Sequence, residues 1–454
     1  MMAMTSLPKR FQSIVCTLSA VLLTGCAPIA PESAASSDSS VPVSSVSPSS
    51  DASTIQSEEW RQENFILSSF FAVGGSGSRI QYRSWLSRTK AAGIDIVELT
   101  FLPRSALLTA VEVCEELQLS CIVQDLDQAG GIGGNYQFTE EAVQSFTELM
   151  QPYQCVEGYF VWDEPARETF EKAQELRKLY KKYDPSRLAY SCVYPSYGVY
   201  NWTGSQIDWS NSAYARYIDD YLSAVEPEVL SLNYYPFAVS GSDASLKQND
   251  LWRDMGYVRK RAMEEGLPYW HYFQGVGDLQ DKVIGAMTLE KIQVQMYAAL
   301  AYGVKGLSYY TSYGLLLDAD GYETDLYEPL TALNGKVKNI GGYLFDKEPE
   351  ALYHSGLSSE MEAAYFLDAA GESSLIAGMP ENLIIGLFRQ GDVRVLVAGN
   401  KDYRSAVSGD LMLREKKKVG IFDSSTGAAV SGSDPTDRIP LELPAGECAV
   451  YILE

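Results

Sequence analysis

From Phe65 to Tyr310 the chain repeats one pattern eight times: a short β-rich apolar run, then an amphipathic helical stretch. The runs are Phe65–Val73, Asp95–Phe101, Ser120–Leu126, Val156–Trp162, Leu188–Tyr194, Val229–Tyr235, Pro268–Phe273 and Gly306–Tyr310. Helical periodicity is clearest over Arg104–Leu117, Arg167–Tyr183, Asn211–Val225 and Glu290–Tyr302, the last ending at Gly303, a good helix stop. Strands that alternate with helices run parallel, because each helix carries the chain back to the edge where the next strand starts. Eight such units in about 280 residues match the size at which a parallel sheet closes on itself. The expected fold is therefore α/β, a (β/α)8 TIM barrel. A doubly wound open sheet is the alternative, and eight uninterrupted units disfavour it.

Beyond about Phe345 the pattern changes. Glu381–Gln390, Asp392–Lys401, Asp410–Arg414 and Cys448–Leu453 read as strands separated by turn residues, and helical periodicity stops. This predicts a small C-terminal all-β sandwich over 346–454, with the barrel over 58–345.

The N-terminus has a different character. Lys9 and Arg10 precede the short apolar run Ile14–Leu23, which suits a signal peptide better than a membrane span. The run ends Leu23-Thr24-Gly25-Cys26, which resembles the bacterial lipobox. That resemblance implies cleavage after residue 25, lipidation of Cys26 and a cell-membrane location facing outside the cytoplasm. Residues 26–57 are rich in Ser, Pro, Ala and Val, and with so little large apolar surface they are expected to form a tether.

The formal net charge is −23, and loss of Lys9 and Arg10 takes it to −25. Such a surface repels nucleic acid and anionic lipid, which leaves the lipid anchor as the expected membrane contact. His271 and His354 are the only histidines and no Cys-x-x-Cys occurs, so no metal site is expected. No organic cofactor is expected either. Cys114, Cys121, Cys155, Cys192 and Cys448 lie in apolar contexts and read as buried thiols, with one disulfide left open.

In a barrel of this kind chemistry sits at the C-terminal ends of the strands. Strand four ends Trp162-Asp163-Glu164-Pro165, two adjacent carboxylates at the mouth. Pro165 suits the first turn of a following helix, whose N-terminus would favour ionised Glu164, whereas the charge of Asp163 would raise its pKa. The segment resembles glycoside hydrolase clan A, in which the fourth strand ends Asn-Glu-Pro and its Glu is the general acid/base. Strand six, ending Leu232-Asn233-Tyr234-Tyr235-Pro236, and the passage Gln295–Gly306 are similar to the corresponding parts of such barrels. The resemblance spans about residues 60 to 345. It implies a glycosidase acting on oligo- or polysaccharide, with Glu164 as general acid/base and Asp163 in place of the sugar-contacting Asn.

One departure is chemically decisive. Clan A carries its nucleophilic Glu at the end of strand seven, where this sequence has Gln274, and an amide cannot act as that nucleophile. A second carboxylate could come from Asp125, Glu98, Asp163 or Asp278. Asp125, on the neighbouring strand, is the nearest in sequence geometry, and a spacing of about 6.5 to 9.5 Å to Glu164 would suit inversion through a water. The structural alternative for Asp125 and Glu98 is an ion pair with Arg79, Arg83 or Arg104. For Asp163-Glu164 it is simple capping of the next helix.

Many of the 30 tyrosines fall at strand ends. Tyr194, Tyr197, Tyr234, Tyr235, Trp270, Tyr272, Tyr309, Tyr310 and Tyr313 are candidate sugar platforms, with core filling expected for about half of such residues. Glu98, Tyr194, Asn233, Tyr235, Trp270, Gln274 and Tyr310 are the expected substrate contacts, and Trp162 is expected to pack beneath Glu164. Gly75-Ser76-Gly77-Ser78-Arg79-Ile80 lacks the third glycine of a dinucleotide fingerprint. Gly130–Gly134 reads as a loop near the mouth, with no Lys after it to hold phosphate. Three functions follow: a glycosidase, a tethered carbohydrate-binding lipoprotein that has lost the chemistry, or a scaffold or adhesion protein.

Overall fold

The computed structural model describes residues 59–454, apart from 76, 130–135, 197–212, 238–243, 276–286, 319, 369–373, 433 and the side chains of 244–250. The expected leader, Cys26 and the tether lie outside the described residues, as do Tyr197, Asp278 and the Gly130–Gly134 loop.

Eight parallel strands alternate with eight principal helices: β1 (Ile66–Phe70), α1 (Arg79–Ala91), β2 (Ile96–Leu99), α2 (Arg104–Leu117), β3 (Ser120–Val123), α3 (Glu140–Met150), β4 (Val156–Asp163) and α4 (Phe170–Tyr183) form the first half. The second half is β5 (Leu188–Cys192), α5 (Ala213–Val225), β6 (Leu230–Asn233), α6 (Ala244–Glu265), β7 (Tyr269–Gln274), α7 (Leu289–Ala301), β8 (Gly306–Tyr310) and α8 (Tyr327–Leu344). Each strand starts within a residue of the run that predicts it, and β1 and β3 stop three residues before their runs end. Neighbours run β5-β4-β3-β2-β1-β8-β7-β6. The ring closes between β5 and β6 through a bridge from Val193 to Leu232, where the Val193 N–H donates to the Ser231 carbonyl at 2.8 Å. The helices start on local signals. Ser78 and Gln81 form a reciprocal cap at α1, and Thr139 and Thr288 cap α3 and α7.

The strands read as unbroken apolar runs because both faces are buried. Alternation still decides which side chain fills the barrel. Phe70, Phe160, Tyr190, Trp270 and Tyr272 share the lumen, while Tyr269 and Phe273 pack outward among the helices. Polar lumen positions pair with each other, as in the Tyr190 hydroxyl on Ser231 Oγ at 2.7 Å. The buried imidazole of His271 is pushed down to about 3 by desolvation and stays neutral. The five described cysteines are unbridged, with Cys121 and Cys155 Sγ 3.9 Å apart.

The C-terminal domain is antiparallel: β9 (Glu348–His354), β10 (Ile376–Gly378), β11 (Leu383–Gln390), β12 (Val393–Asn400), β13 (Val407–Asp423), β14 (Ala428–Val430), β15 (Pro435–Leu443) and β16 (Cys448–Leu453). The first part of β13 pairs with β10 and β15, and its second part with β14 and β16, so one strand belongs to both layers. The sequence predicts only Asp410–Arg414 of β13, because Glu415-Lys416-Lys417-Lys418 carries no apolar alternation. One expectation is corrected: helix does not stop at Phe345, since Ser358 caps a six-residue helix α9 (Ser359–Ala364) between β9 and β10.

Leu383, Ile385 and Leu387 point into the sandwich core. Their neighbours Ile384 and Phe388 point the other way and join the barrel core. Gly386 crosses α7 so closely that a Cβ there would overlap the Ala301 carbonyl. On β9, His354 Nε2 meets the Tyr302 hydroxyl at 3.1 Å. Gln293 of α7 donates to Glu447 at 2.6 Å.

Candidate active site

The acid pair stands at the end of β4, and a local irregularity aims it. The β4–β5 register shifts between Phe160 and Trp162. Before the shift Phe160 faces the lumen; after it Trp162 turns outward and stacks on Tyr136, with ring centroids 3.8 Å apart. The bulge thereby turns Asp163 inward, opposite Cys192 of β5, whose thiol donates to Asp163 Oδ1 at 3.4 Å. The Tyr136 hydroxyl accepts the Asp163 N–H at 3.1 Å and the Gln124 side chain at 3.2 Å.

Glu164 then adopts φ 48°, a left-handed conformation uncommon for a residue with a Cβ. Its Oε1 accepts from Asn233 Nδ2 of β6 at 2.9 Å, and the same Nδ2 lies 3.5 Å from Cys192 Sγ. Asp163, Cys192, Asn233 and Glu164 thus form one connected polar cluster. The capping expectation is corrected here. A turn of 3-10 helix covers Arg167–Thr169 and α4 begins only at Phe170, so neither acid caps it and its dipole does not reach Glu164. Pro165 is not in a first helical turn; its carbonyl accepts the Tyr217 hydroxyl at 2.9 Å.

Burial raises both carboxyls above the usual range. Glu164 rises further, because the Asp163 charge adds to desolvation while the Asn233 hydrogen bond opposes it. The pair therefore holds a proton on Glu164 where Asp163 has lost its own, which is the state a general acid needs.

The mouth has an aromatic wall. Tyr235 stacks on Tyr310 at 4.5 Å, Phe70 lies 5.9 Å from Tyr310, and Phe71 and Phe101 lie 5.5 Å apart. The Tyr310 phenol is pushed up to about 12 by burial, then by the charges of Asp163 and Glu164, so the wall adjoins the acids. Tyr194 feels the same two charges after desolvation. Phe71 and Phe101 were not expected. Each follows a strand and is left-handed like Glu164, with φ 49° and 56°. A bulky residue in that conformation has no reliable one-dimensional signal.

Several expected contacts stand elsewhere. Trp270 sits at the opposite end of the barrel, 2% exposed, with its indole N–H on Gln62 at 2.9 Å and its ring against Gly306. Tyr234, Tyr272 and Tyr309 are buried; Tyr309 donates to Asn334 at 2.6 Å. Tyr313 lies beside Trp85, with ring centroids 6.3 Å apart. Glu98 has no exposed surface and cannot touch a substrate. It accepts from Ser308 at 2.8 Å, from Ser68 at 3.1 Å and from the Tyr272 hydroxyl. Among the described residues no cation pairs with it. Asp125 pairs with Arg104 at 2.7 Å and with Gln128 at 2.7 Å, while Arg79 and Arg83 take Glu112 and Glu116. Gln274 is 3% exposed, and its Oε1 accepts the Phe237 N–H at 2.7 Å.

The buried Glu98 carboxyl makes the fold pH-sensitive. Desolvation raises it from 4.5 to about 7 against the pull of its three hydroxyl donors. The folded chain then keeps a proton that the unfolded chain has released. This contribution to stability is complete below about pH 4.5 and is lost as pH rises through about 7. Glu98→Gln is expected to flatten the fall in Tm over that interval, read by thermal melts at constant ionic strength. A slope unchanged from wild type would assign the fall to other groups.

Solved structures similar to this chain include glycoside hydrolases. A structure described as a glycoside hydrolase covers 86% of this chain and 92% of its own, at 12% identity and a TM-score of 0.55. A family 5 glycoside hydrolase from Bacteroides vulgatus covers 86% of this chain and 89% of its own, at 12% identity and TM-score 0.54. The β-galactosidase of Bacillus circulans sp. alkalophilus covers 86% of this chain and 99% of its own, at 8% identity and TM-score 0.58. No protein-family model matches the sequence, and no curated protein matches it. At such identities the likeness speaks to the fold alone, a (β/α)8 barrel followed by a C-terminal β domain.

Proposed function

We propose that the chain is a lipid-anchored, extracytoplasmic glycoside hydrolase in which Glu164 is the general acid/base. The observation that carries this reading is the Asp163–Glu164 pair: a bulge and a left-handed turn aim two acids into one mouth, and burial with the charge of Asp163 raises Glu164 above Asp163. Asn233 orients Glu164, and the half-buried Tyr194, Tyr235 and Tyr310 offer faces on which sugar C–H groups stack. The anchoring rests on Leu23-Thr24-Gly25-Cys26 after the Lys9-Arg10 leader.

A second reading is a carbohydrate-binding lipoprotein without turnover, and Gln274 at the strand-seven position favours it. New reducing ends released from an oligosaccharide panel by the purified chain support the hydrolase. Saturable binding with no product supports the second reading. Neither binding nor product would leave a scaffold or adhesion role. In cells fed labelled palmitate, the wild type is expected to carry label and Cys26→Ala to carry none. Label on neither would overturn the anchor.

A further inference from the structure

We propose that the substrate is a β-glycoside of a 2-acetamido-2-deoxy sugar, whose own acetamide oxygen is the nucleophile while Asp163 holds the acetamide. This rests on the hydrolase reading above and names its substrate class.

The argument starts from what the mouth provides and where. Hydrolysis with retention needs a nucleophile on the ring face away from the acid. On β7 that position carries the amide of Gln274, already bonded to the Phe237 N–H. Asp125 is committed to Arg104 and Gln128, and Glu98 has no exposed surface. Of the other candidate carboxylates named from the sequence, Asp278 lies outside the described residues and Asp163 remains. It sits one residue from Glu164 on the same strand end, so it cannot reach across the ring. Glu164 accepts from Asn233 on β6 and Asp163 from Cys192 on β5. A carboxylate there is placed to accept a hydrogen bond from a substituent at C2.

An independent observation asks for a donor at the same point. Asn233 Oδ1 is buried, its residue is 5% exposed, and it has no partner among the described residues. A buried acceptor without a partner is destabilising, and a bound N–H or hydroxyl would relieve that cost. Tyr310, kept protonated beside the two acids, can donate to the acetamide carbonyl and fix its approach.

The chemistry balances without a protein nucleophile. The acetamide oxygen attacks C1 and forms a C1–O bond. The glycosidic C1–O bond breaks with its electron pair on the leaving oxygen, which takes the proton of Glu164. The cyclic oxazolinium ion that results has its N–H on the Asp163 carboxylate. Water then attacks C1 from the vacated face and gives a proton to Glu164. The ring C1–O bond returns its pair to the acetamide, and the sugar leaves with its β configuration retained.

The test compares β-gluco and β-galacto p-nitrophenyl glycosides bearing either 2-hydroxyl or 2-acetamido, using the full chain. The 2-acetamido form is expected to turn over at least about 100-fold faster than its 2-hydroxy partner, since its nucleophile is held within the substrate itself. Its rate should fall with each fluorine placed on the acetamide methyl, because the carbonyl oxygen becomes a weaker nucleophile. Asp163→Asn should lose about 100-fold in kcat or more, with folding checked by circular dichroism. Equal turnover of the 2-hydroxy glycosides, or a rate indifferent to fluorination, overturns the inference and leaves the hydrolase standing. No turnover of any glycoside, with saccharides still bound, overturns both.

Discussion

Glu164→Gln is expected to lower kcat/KM for glycoside hydrolysis by about 10² to 10⁴-fold, the usual contribution of a positioned general acid, with saccharide affinity within a few-fold of wild type. Gln keeps an oxygen for the 2.9 Å hydrogen bond from Asn233 Nδ2 and keeps the left-handed turn, so the cleft should survive. What it removes is the transferable proton. The pH profile gives a second reading of the same group. Glu164 must be protonated to act, so activity falls as pH rises through its raised pKa; Asp163 must be ionised, so activity also falls as pH drops through its lower one. Substrates whose leaving group needs no proton should lose the basic limb and be spared in the variant. Equal activity of Glu164→Gln on all substrates would remove Glu164 from the mechanism.

Gly386→Val should cost about 3 kcal/mol or more of stability, at the upper end of overpacking effects. Gly386 lies on β11 where the sandwich crosses α7, and even a Cβ would overlap the Ala301 carbonyl, with its carbon 2.8 Å away. The obstacle is backbone in a helix, which cannot rotate aside as a side chain could. Relief would require parting Ile384 and Phe388 from the barrel core. Gly335→Ala supplies the contrast. Gly335 lies inside α8 with nothing within 4 Å of a Cβ, so the substitution should stabilise by about 0.4–1 kcal/mol. Urea unfolding of both variants reads the difference. A Gly386→Val chain as stable as wild type would mean the two domains can shift apart at little cost.

Much of this architecture is legible along the chain because it depends on local patterning. Eight apolar runs separated by helical periodicity leave few topologies, and strand ends follow from the runs themselves. The C-terminal strands were less legible. β9, β14 and β15 carry charged or exposed residues, and β13 hides behind Lys416-Lys417-Lys418 because one face of a sheet edge tolerates charge. The candidate site divides the same way. Glu164, Asn233, Tyr235 and Tyr310 could be named from their place at strand ends. Phe71, Phe101, Tyr136 and Cys192 could not, since what brings them to the mouth is a turn, a stack or a neighbour strand.

By itself the sequence determined the alternation of elements, the acid pair at the fourth strand end and the amide of Gln274 at the seventh, since each is fixed by residue identity and spacing. Only the tertiary structure decided which way those groups face. A one-residue register shift in β4 exchanges Trp162 for Asp163 at the lumen. The pairing of Trp270 with Gly306 at the start of β8 holds its ring at the far end of the barrel instead of the mouth. Packing likewise chose Arg104 for Asp125 and a hydroxyl cage for Glu98. Side-chain direction has a period of two residues, so a single bulge reverses it, and no reading of composition or spacing registers a bulge that only the pairing of two strands creates.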